Sequence, residues 1–200
     1  MSLLFETIRI QDGVIYNLLH HNQRMYQSRK LLLGLTDFID LINYIKIPVT
    51  FSKGKFKCKV VYQTEIEHIS FEPYLPRTIN SLRLVDDNSI CYKHKFSDRK
   101  QLDELSIKRG NYDEILIVKN GLITDTSFSN IVFYDGFHWV TPVNPLLHGT
   151  MRSYLLSNGK VSEKGISVNE LRHYQKARLI NAMLPLDSGL DIELERIGYF

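Results

Sequence analysis

The chain has 200 residues, 44% of them hydrophobic, enough to bury one large core or two small ones. Its net charge of +3 is spread over 25 basic and 22 acidic residues without a long block of one sign, so nucleic acid is not demanded as a partner. Cys58 and Cys91 stand far apart with no ligand spacing, no apolar run is long enough to span a bilayer, and Glu6 and Arg9 interrupt any secretory leader, which together lead us to expect a cytoplasmic protein with reduced thiols and no membrane association.

In chain order, residues 3–10 and 14–16 read as two strands around the turn Asp12-Gly13. Asn17 precedes an apolar pattern through Leu18, Leu19, Met25, Leu31, Leu32 and Leu33 that predicts a helix ending near Gly34. A second helix is expected from Thr36 through Phe38, Ile39, Leu41, Ile42 and Ile45, closed by Pro48. The alternation of Phe56, Cys58, Val60 and Tyr62 predicts a strand over 55–69, with another over 80–85 after the Pro73 and Pro76 interruption. Lys53, Lys55, Lys57 and Lys59 form the densest basic run, read as a solvated strand face beside the alternative of an anion-binding patch.

The polar break 86–89 marks the expected domain boundary, giving an N-terminal domain over 1–87 and a C-terminal domain over 88–200. Beyond it the pattern predicts a helix over 97–109 closed by Gly110, strands over 114–119 and 131–134, a polar segment over 124–130, and a hairpin at Asp135-Gly136 leading into 137–141. A turn entering a helix follows over 149–156, then a helix over 170–176 and a strand over 178–183.

Taken singly, the chemically capable residues have ordinary readings. Lys95 beside Phe96 is in a setting where desolvation lowers a lysine pKa, but most lysines are surface charges. Asp125 reads as a turn or cap residue, and Gly149-Thr150 as a turn whose backbone N–H groups can also meet an anion. His20, His21 and His94 lack carboxylate or cysteine partners at ligand spacing, so no metal site is expected. Ser127 and Ser129 lack the frame of a hydrolase nucleophile.

Their order and spacing, however, resemble the class IV aminotransferase family over nearly the whole chain. Glu6-Thr7-Ile8-Arg9 and His21-Asn22-Gln23-Arg24-Met25, then Lys95 with Arg99, then Asp113-Glu114 with Ile123-Thr124-Asp125-Thr126-Ser127-Phe128-Ser129-Asn130 are similar to the family's successive motifs. The resemblance implies an α/β (α+β) fold of the D-amino-acid aminotransferase type, with a small N-terminal α+β domain and a larger β-rich C-terminal domain carrying helices. It also implies pyridoxal 5'-phosphate as cofactor. Lys95 matches the lysine that forms the Schiff base, Arg24 a phosphate ligand, Asp125 the acid at the pyridine nitrogen, and Ser127, Phe128, Gly149, Thr150 and Met151 further cofactor contacts. Arg9, Arg77, Arg99 and Arg152 are candidates for the substrate carboxylate, each with a surface salt bridge as the alternative.

Within the family, His94-Lys95, Trp139-Val140-Thr141-Pro142, Gly149-Thr150-Met151-Arg152 and Ile180-Asn181-Ala182 look like the 4-amino-4-deoxychorismate lyases more than the transaminases. The expected activity is therefore release of 4-aminobenzoate and pyruvate from a small-molecule substrate, with an amino-acid transaminase and a non-catalytic cofactor-binding protein as the other readings. A homodimer is implied by the resemblance. Three departures stand out: Asp125 replaces the family's glutamate, Met151 replaces the transaminase threonine and leaves Thr150 as the hydroxyl near the phosphate, and the chain opens at what is an inner strand in relatives, which bears on the substrate pocket.

Overall fold

The computed structural model describes residues 2–199. The chain divides into two compact units, Met1–Pro76 with His94–Asp98, and Arg77–Lys93 with Arg99–Phe200. The division thus falls at residue 76 instead of the polar break near 87. The strand that precedes that break pairs only with second-unit strands, and a short segment around Lys95 returns to the first unit.

The first unit holds β1 (Leu4–Gln11), β2 (Val14–Ile15), helix α1 (Leu18–Leu33), β3 (Lys55–Tyr62) and β4 (Ile66–Pro73). They form an antiparallel sheet in the order β2-β1-β3-β4. Asp12 and Gly13 both adopt positive φ, 51° and 78°, as a two-residue hairpin turn requires. Strand β1 alternates strictly, with Leu4, Glu6, Ile8 and Ile10 buried and the residues between them half-buried. The buried face joins Met25, Leu41, Ile45, Cys58, Val60 and Tyr62 in one core.

Two expectations fail here for physical reasons. The strand expected over 55–69 is two strands, folded back at 63–65 where the Gln63 N–H meets the Glu65 carbonyl at 3.0 Å. The helix expected after Thr36 is only a 3-10 turn, Leu41–Asn43. Asn22 donates to Asp40 at 2.7 Å and accepts from the Leu41 N–H at 3.1 Å, so a tertiary polar contact fixes this stretch in an irregular path. Helix α1 exists as expected and ends in Gly34 at φ 69°, but its buried stripe is His21, Asn22, Met25, Ser28 and Arg29 while Leu19 and Leu31 are exposed. Of the apolar pattern, Met25 is buried and Leu18 and Leu32 pack against the core, while Leu19 and Leu31 lie on the solvent side.

The second unit holds β5 (Leu82–Asp86), α2 (Lys100–Ile107), β6 (Glu114–Lys119), β7 (Leu122–Thr126), β8 (Asn130–Tyr134), β9 (Trp139–Pro142), α3 (Thr150–Ser157), β10 (Ser162–Lys164), β11 (Lys176–Ile180), β12 (Ile192–Glu193) and β13 (Ile197–Gly198). Two sheets form, in the orders β13-β5-β6-β7 and β10-β9-β8-β11-β12. Their apolar residues share a core running from Leu82, Leu116 and Ile123 to Ile131, Phe133, Ala177 and Leu179. Asn120 and Gly121 take positive φ in the turn between β6 and β7. The expected helix at 170–176 is a 3-10 segment, Val168–His173, started by a capping box of Ser167 and Glu170, and the strand expected at 178–183 starts earlier, at Lys176. Among the described residues no helix is long and apolar enough to cross a membrane.

Candidate functional site

The residues picked out by sequence fall into a group in each unit. In the first, Glu6 is the anomaly: an acid at a core position of β1, fully buried, where period-two alternation calls for an apolar side chain. It is held by two residues of α1. Arg24 grips it in a two-point contact, Nε to Oε1 at 2.9 Å and Nη2 to Oε2 at 2.5 Å, and His21 Nδ1 lies 2.6 Å from Oε2. Burial works to raise the Glu6 pKa, but the Arg24 guanidinium and the His21 hydrogen bond outweigh it and bring it down to about 2. Burial depresses the His21 pKa, so the imidazole is neutral and carries its proton on Nδ1, since an ionised carboxylate can only accept.

Lys95 is mounted on the same strand. The Phe5 N–H donates to the Lys95 carbonyl at 3.0 Å, the Ser97 N–H to the Leu3 carbonyl at 2.7 Å, and Leu4 and Phe96 form an antiparallel bridge. The segment thus acts as a short neighbour to the start of β1. The Lys95 ammonium lies 4.6 Å from the centroid of the Phe5 ring. Arg9, on the same face of β1 as Phe5, stacks its guanidinium 3.9 Å from the centre of the Tyr16 ring.

In the second unit Asp125 lies on β7, buried, and not in the turn or cap expected of it. Both its oxygens are taken by neutral donors: Oδ1 accepts from Asn130 Nδ2 at 2.8 Å and Oδ2 from the Leu147 N–H at 2.9 Å. No cation lies within ion-pair distance of it among the described residues. Burial drives its pKa up to about 6 against the pull of those hydrogen bonds and of Arg152. Asn130 also donates to the Leu147 carbonyl at 2.9 Å and packs so closely on Gly149 that a Cβ there would stand 1.9 Å from Asn130 Oδ1. One amide therefore ties the acid to the turn that begins α3.

The remaining candidates divide between this frame and its surface. Ser127 lies in a tight turn in which the Thr126 hydroxyl accepts from the Ser129 N–H at 3.0 Å, and the Ser127 carbonyl accepts from Arg99 Nη2 at 2.7 Å. Phe128 carries the Arg77 guanidinium 4.6 Å above its ring, and Arg77, mostly exposed, also pairs with buried Glu114 at 4.0 Å. Gly149 is the N-cap of α3 and its carbonyl accepts the first helical bond, from Ser153 at 2.9 Å, so the amides of residues 150–152 precede that bond. Met151 points into a cluster with Val132, Leu155 and Val161, so only its backbone can meet a ligand. Arg152 is buried, donating to the Pro142 carbonyl at 2.8 Å and to Glu163 at 2.5 Å, which fastens α3 to β9 and β10. Of the four arginines considered for substrate, Arg99 and Arg152 are thus hydrogen-bonded to protein acceptors and Arg77 is paired with Glu114.

Glu6, His21 and Asn130 had no role assigned from sequence. The signal for Glu6 was present, as a charge in the buried phase of an alternating strand; for Asn130 no local pattern exists, because its partners lie 5 and 17 residues away.

The sequence family described as amino-transferase class IV matches residues 41–186. A solved structure from Haemophilus somnus 129pt, named "putative 4-amino-4-deoxychorismate lyase", is 33% identical, covers 93% of this chain and 98% of its own, and superposes with a TM-score of 0.86. A Schizosaccharomyces pombe protein named "Putative aminodeoxychorismate lyase" is 25% identical over 94% of this chain and 89% of its own length. A "hypothetical aminotransferase" from Mycobacterium tuberculosis, solved in a form with pyridoxal phosphate bound, shares the fold at 18% identity and a TM-score of 0.75, over 96% of this chain and 80% of its own.

Proposed function

We propose, from the premise that this chain belongs to the class IV aminotransferase family and that such enzymes use pyridoxal 5'-phosphate, that it is the lyase that converts 4-amino-4-deoxychorismate to 4-aminobenzoate and pyruvate. The observation that carries the cofactor's part is Asp125. A buried carboxylate clamped by two neutral donors, without an ion pair and pushed up to about 6, is suited to a protonated pyridine nitrogen placed against it. The choice of lyase is supported by the full-length likeness to relatives so named.

When bound, the cofactor supplies an electron sink for a carbanion next to the substrate nitrogen. The chain's own residues do the rest. In the first unit Arg24, oriented by Glu6, would serve as a phosphate ligand; in the second, the backbone amides at the start of α3 would offer donors to an anion and Asp125 would keep a proton on the ring nitrogen. Ser127 and Phe128, in the turn between β7 and β8, would add contacts to the cofactor. Lys95 Nζ takes the proton from the amine-bearing carbon, and departure of the enolpyruvyl group from the neighbouring ring carbon leaves an aromatic product. Arg9, stacked on Tyr16, remains for a substrate carboxylate, with exposed Arg77, which stacks on Phe128 and pairs at 4.0 Å with Glu114, as the second candidate. Asp125 in place of glutamate shortens the acid by one methylene, and Asn130 holds it on β7, from where it would meet the ring nitrogen.

The test is direct. Purified protein supplied with pyridoxal 5'-phosphate and 4-amino-4-deoxychorismate is expected to release pyruvate and 4-aminobenzoate in equal amounts. Turnover of an amino acid with 2-oxoglutarate and no 4-aminobenzoate would sink the lyase reading in favour of a transaminase. Borohydride is expected to fix the cofactor on Lys95; if it fixes none, the cofactor-binding, non-catalytic reading takes over.

A further inference from the structure

On the face of the first-unit sheet away from its core, one phenylalanine stands between two lysines. The antiparallel bridge of Leu4 with Phe96 sets Lys95 directly opposite Phe5. On the other side, β1 pairs Phe5 with Val61 and Thr7 with Lys59, which makes Lys59 the diagonal neighbour of Phe5. The row across the three segments is thus Lys95, Phe5, Lys59, all of them half-buried. Lys95 Nζ lies 4.6 Å from the centre of the Phe5 ring and Lys59 Nζ 5.1 Å from it. One ring carries both cations, and the two nitrogens stand within about 10 Å of each other, close enough for like charges to oppose one another on a half-buried surface.

The groups around the row do not cancel the charge of Lys59. Among the described residues it has no acid within ion-pair distance, and Glu72, the carboxylate on this face of β4, is bound to Lys57. On β1, Glu6 turns to the buried face, where Arg24 meets its charge, and Arg9 adds a further cation next along the face of Phe5. On α1, buried His21 lies within electrostatic reach of Lys95 and is held neutral. The Phe5 ring works in the other direction, since it steadies an ammonium and so fixes where Nζ stands. An ordinary lysine, with a pKa near 10.4, is unprotonated in only on the order of one molecule in a thousand at pH 7, and only that form can attack a carbonyl or accept a proton. A positive neighbour enlarges that fraction.

We propose that Lys59 is a positioning residue for the chemistry at Lys95: its charge, held across Phe5, disfavours a second ammonium and keeps Lys95 available as a free amine, while Phe5 fixes where that amine stands. The inference rests on Lys95 being the reacting amine, as proposed above, and holds for either a lyase or a transaminase. It also gives one lysine of the basic run in β3 a task that its composition alone left as part of a solvated face.

The test is the titration of Lys95 in the cofactor-free protein, followed by trace acetylation with acetic anhydride across a pH series. Mass spectrometry reads the Lys95 peptide, with exposed Lys160 as the standard within each sample. Lys59→Gln is expected to move the Lys95 midpoint up by about half to one pH unit, which is an about three- to tenfold smaller share of reactive amine at any pH below it. Lys59→Arg keeps the charge and is expected to leave the midpoint at its wild-type value. Lys57 lies one step further along β3 from Phe5 and is matched by Glu72, so Lys57→Gln is expected to move it less than half as far as Lys59→Gln. Circular dichroism melts check that the variants are folded. A midpoint unmoved in Lys59→Gln, or moved as far in Lys59→Arg or Lys57→Gln, would overturn the role. Borohydride labelling separates this from the reading beneath it. A shifted midpoint with no cofactor fixed on Lys95 removes Lys95 as the reacting amine and leaves the charge coupling, whereas cofactor fixed on Lys95 with an unmoved midpoint removes the role of Lys59 and leaves Lys95.

Discussion

Gly149→Ala tests the frame behind Asp125. The added Cβ would stand 1.9 Å from Asn130 Oδ1, where real Cβ contacts essentially never fall below 3.0 Å, so the amide has to swing away. Doing so breaks the bonds of 2.8 Å to Asp125 and 2.9 Å to the Leu147 carbonyl. A buried hydrogen bond to a carboxylate is worth about 1.5–3 kcal/mol and a neutral one about 0.5–1.5, so the loss is about 2–4 kcal/mol. For a chain of this size that lowers Tm by about 4–16 °C. The backbone is not the obstacle, because Gly149 has an ordinary φ of −68°. The assay is a thermal melt of wild type, Gly149→Ala, Asn130→Ala and the double variant. Because both single changes remove the same two bonds, the double variant should melt near Asn130→Ala alone, with a coupling of similar size to the single losses. A Gly149→Ala protein melting within about 1 °C of wild type, or effects that simply add, would refute the account of Asn130 as the tie between the two segments.

Three further outcomes follow from the same geometry. The folded pKa of Glu6, about 2, lies below its ordinary 4.5, so its ionised form stabilises the fold above pH 4.5 by on the order of 3 kcal/mol, and this is lost as pH falls toward 2. Melts of Glu6→Gln should therefore lie well below wild type at pH 7 and converge with it near pH 2–3; parallel curves would contradict the pairing with Arg24. Asp125, raised to about 6, is ionised only above that value in the unliganded chain, so uptake of pyridoxal 5'-phosphate followed by absorbance should weaken as pH drops through 6 in wild type and be weak and flat in Asp125→Asn. Iodoacetamide should label native protein once, on exposed Cys91, and spare Cys58, which burial raises to about 12; two labels before unfolding would place Cys58 elsewhere.

The sequence was most informative where chemistry and backbone geometry are local. The turns at Asp12-Gly13 and Asn120-Gly121, the Gly34 stop of α1 and the Gly149 start of α3 all follow from residue type. It was least informative where distant partners decide. Residues 36–45 carry a helical pattern, yet Asn22 claims Asp40 and Leu41 and leaves one 3-10 turn. Asp125 sits among Thr and Ser and reads as turn, but β6 pairs with the segment and draws it into a strand. Helix α1 buries polar His21 beside Met25 because Glu6 awaits it on β1, a demand that hydropathy alone does not reveal. Within each unit the motifs marked residues that lie near one another, Glu6 with Arg24 in the first and Asp125 with Asn130 in the second, while the tie of Asn130 to Leu147 required three dimensions.

The return of residues 94–98 to β1 has a consequence for how this protein can be made. At its first residues β1 pairs on one side with β3 and on the other with this segment, through Leu3, Leu4 and Phe5. A fragment ended at Pro76 would leave that border of the strand unpaired, an open template for sticking to other chains. On the ribosome the first unit cannot finish until residue 98 has emerged, by which time β5 is already out and waiting for partners not yet synthesised. The lysine is thus seated late, and a split at the apparent linker would yield two pieces, the first of them without it.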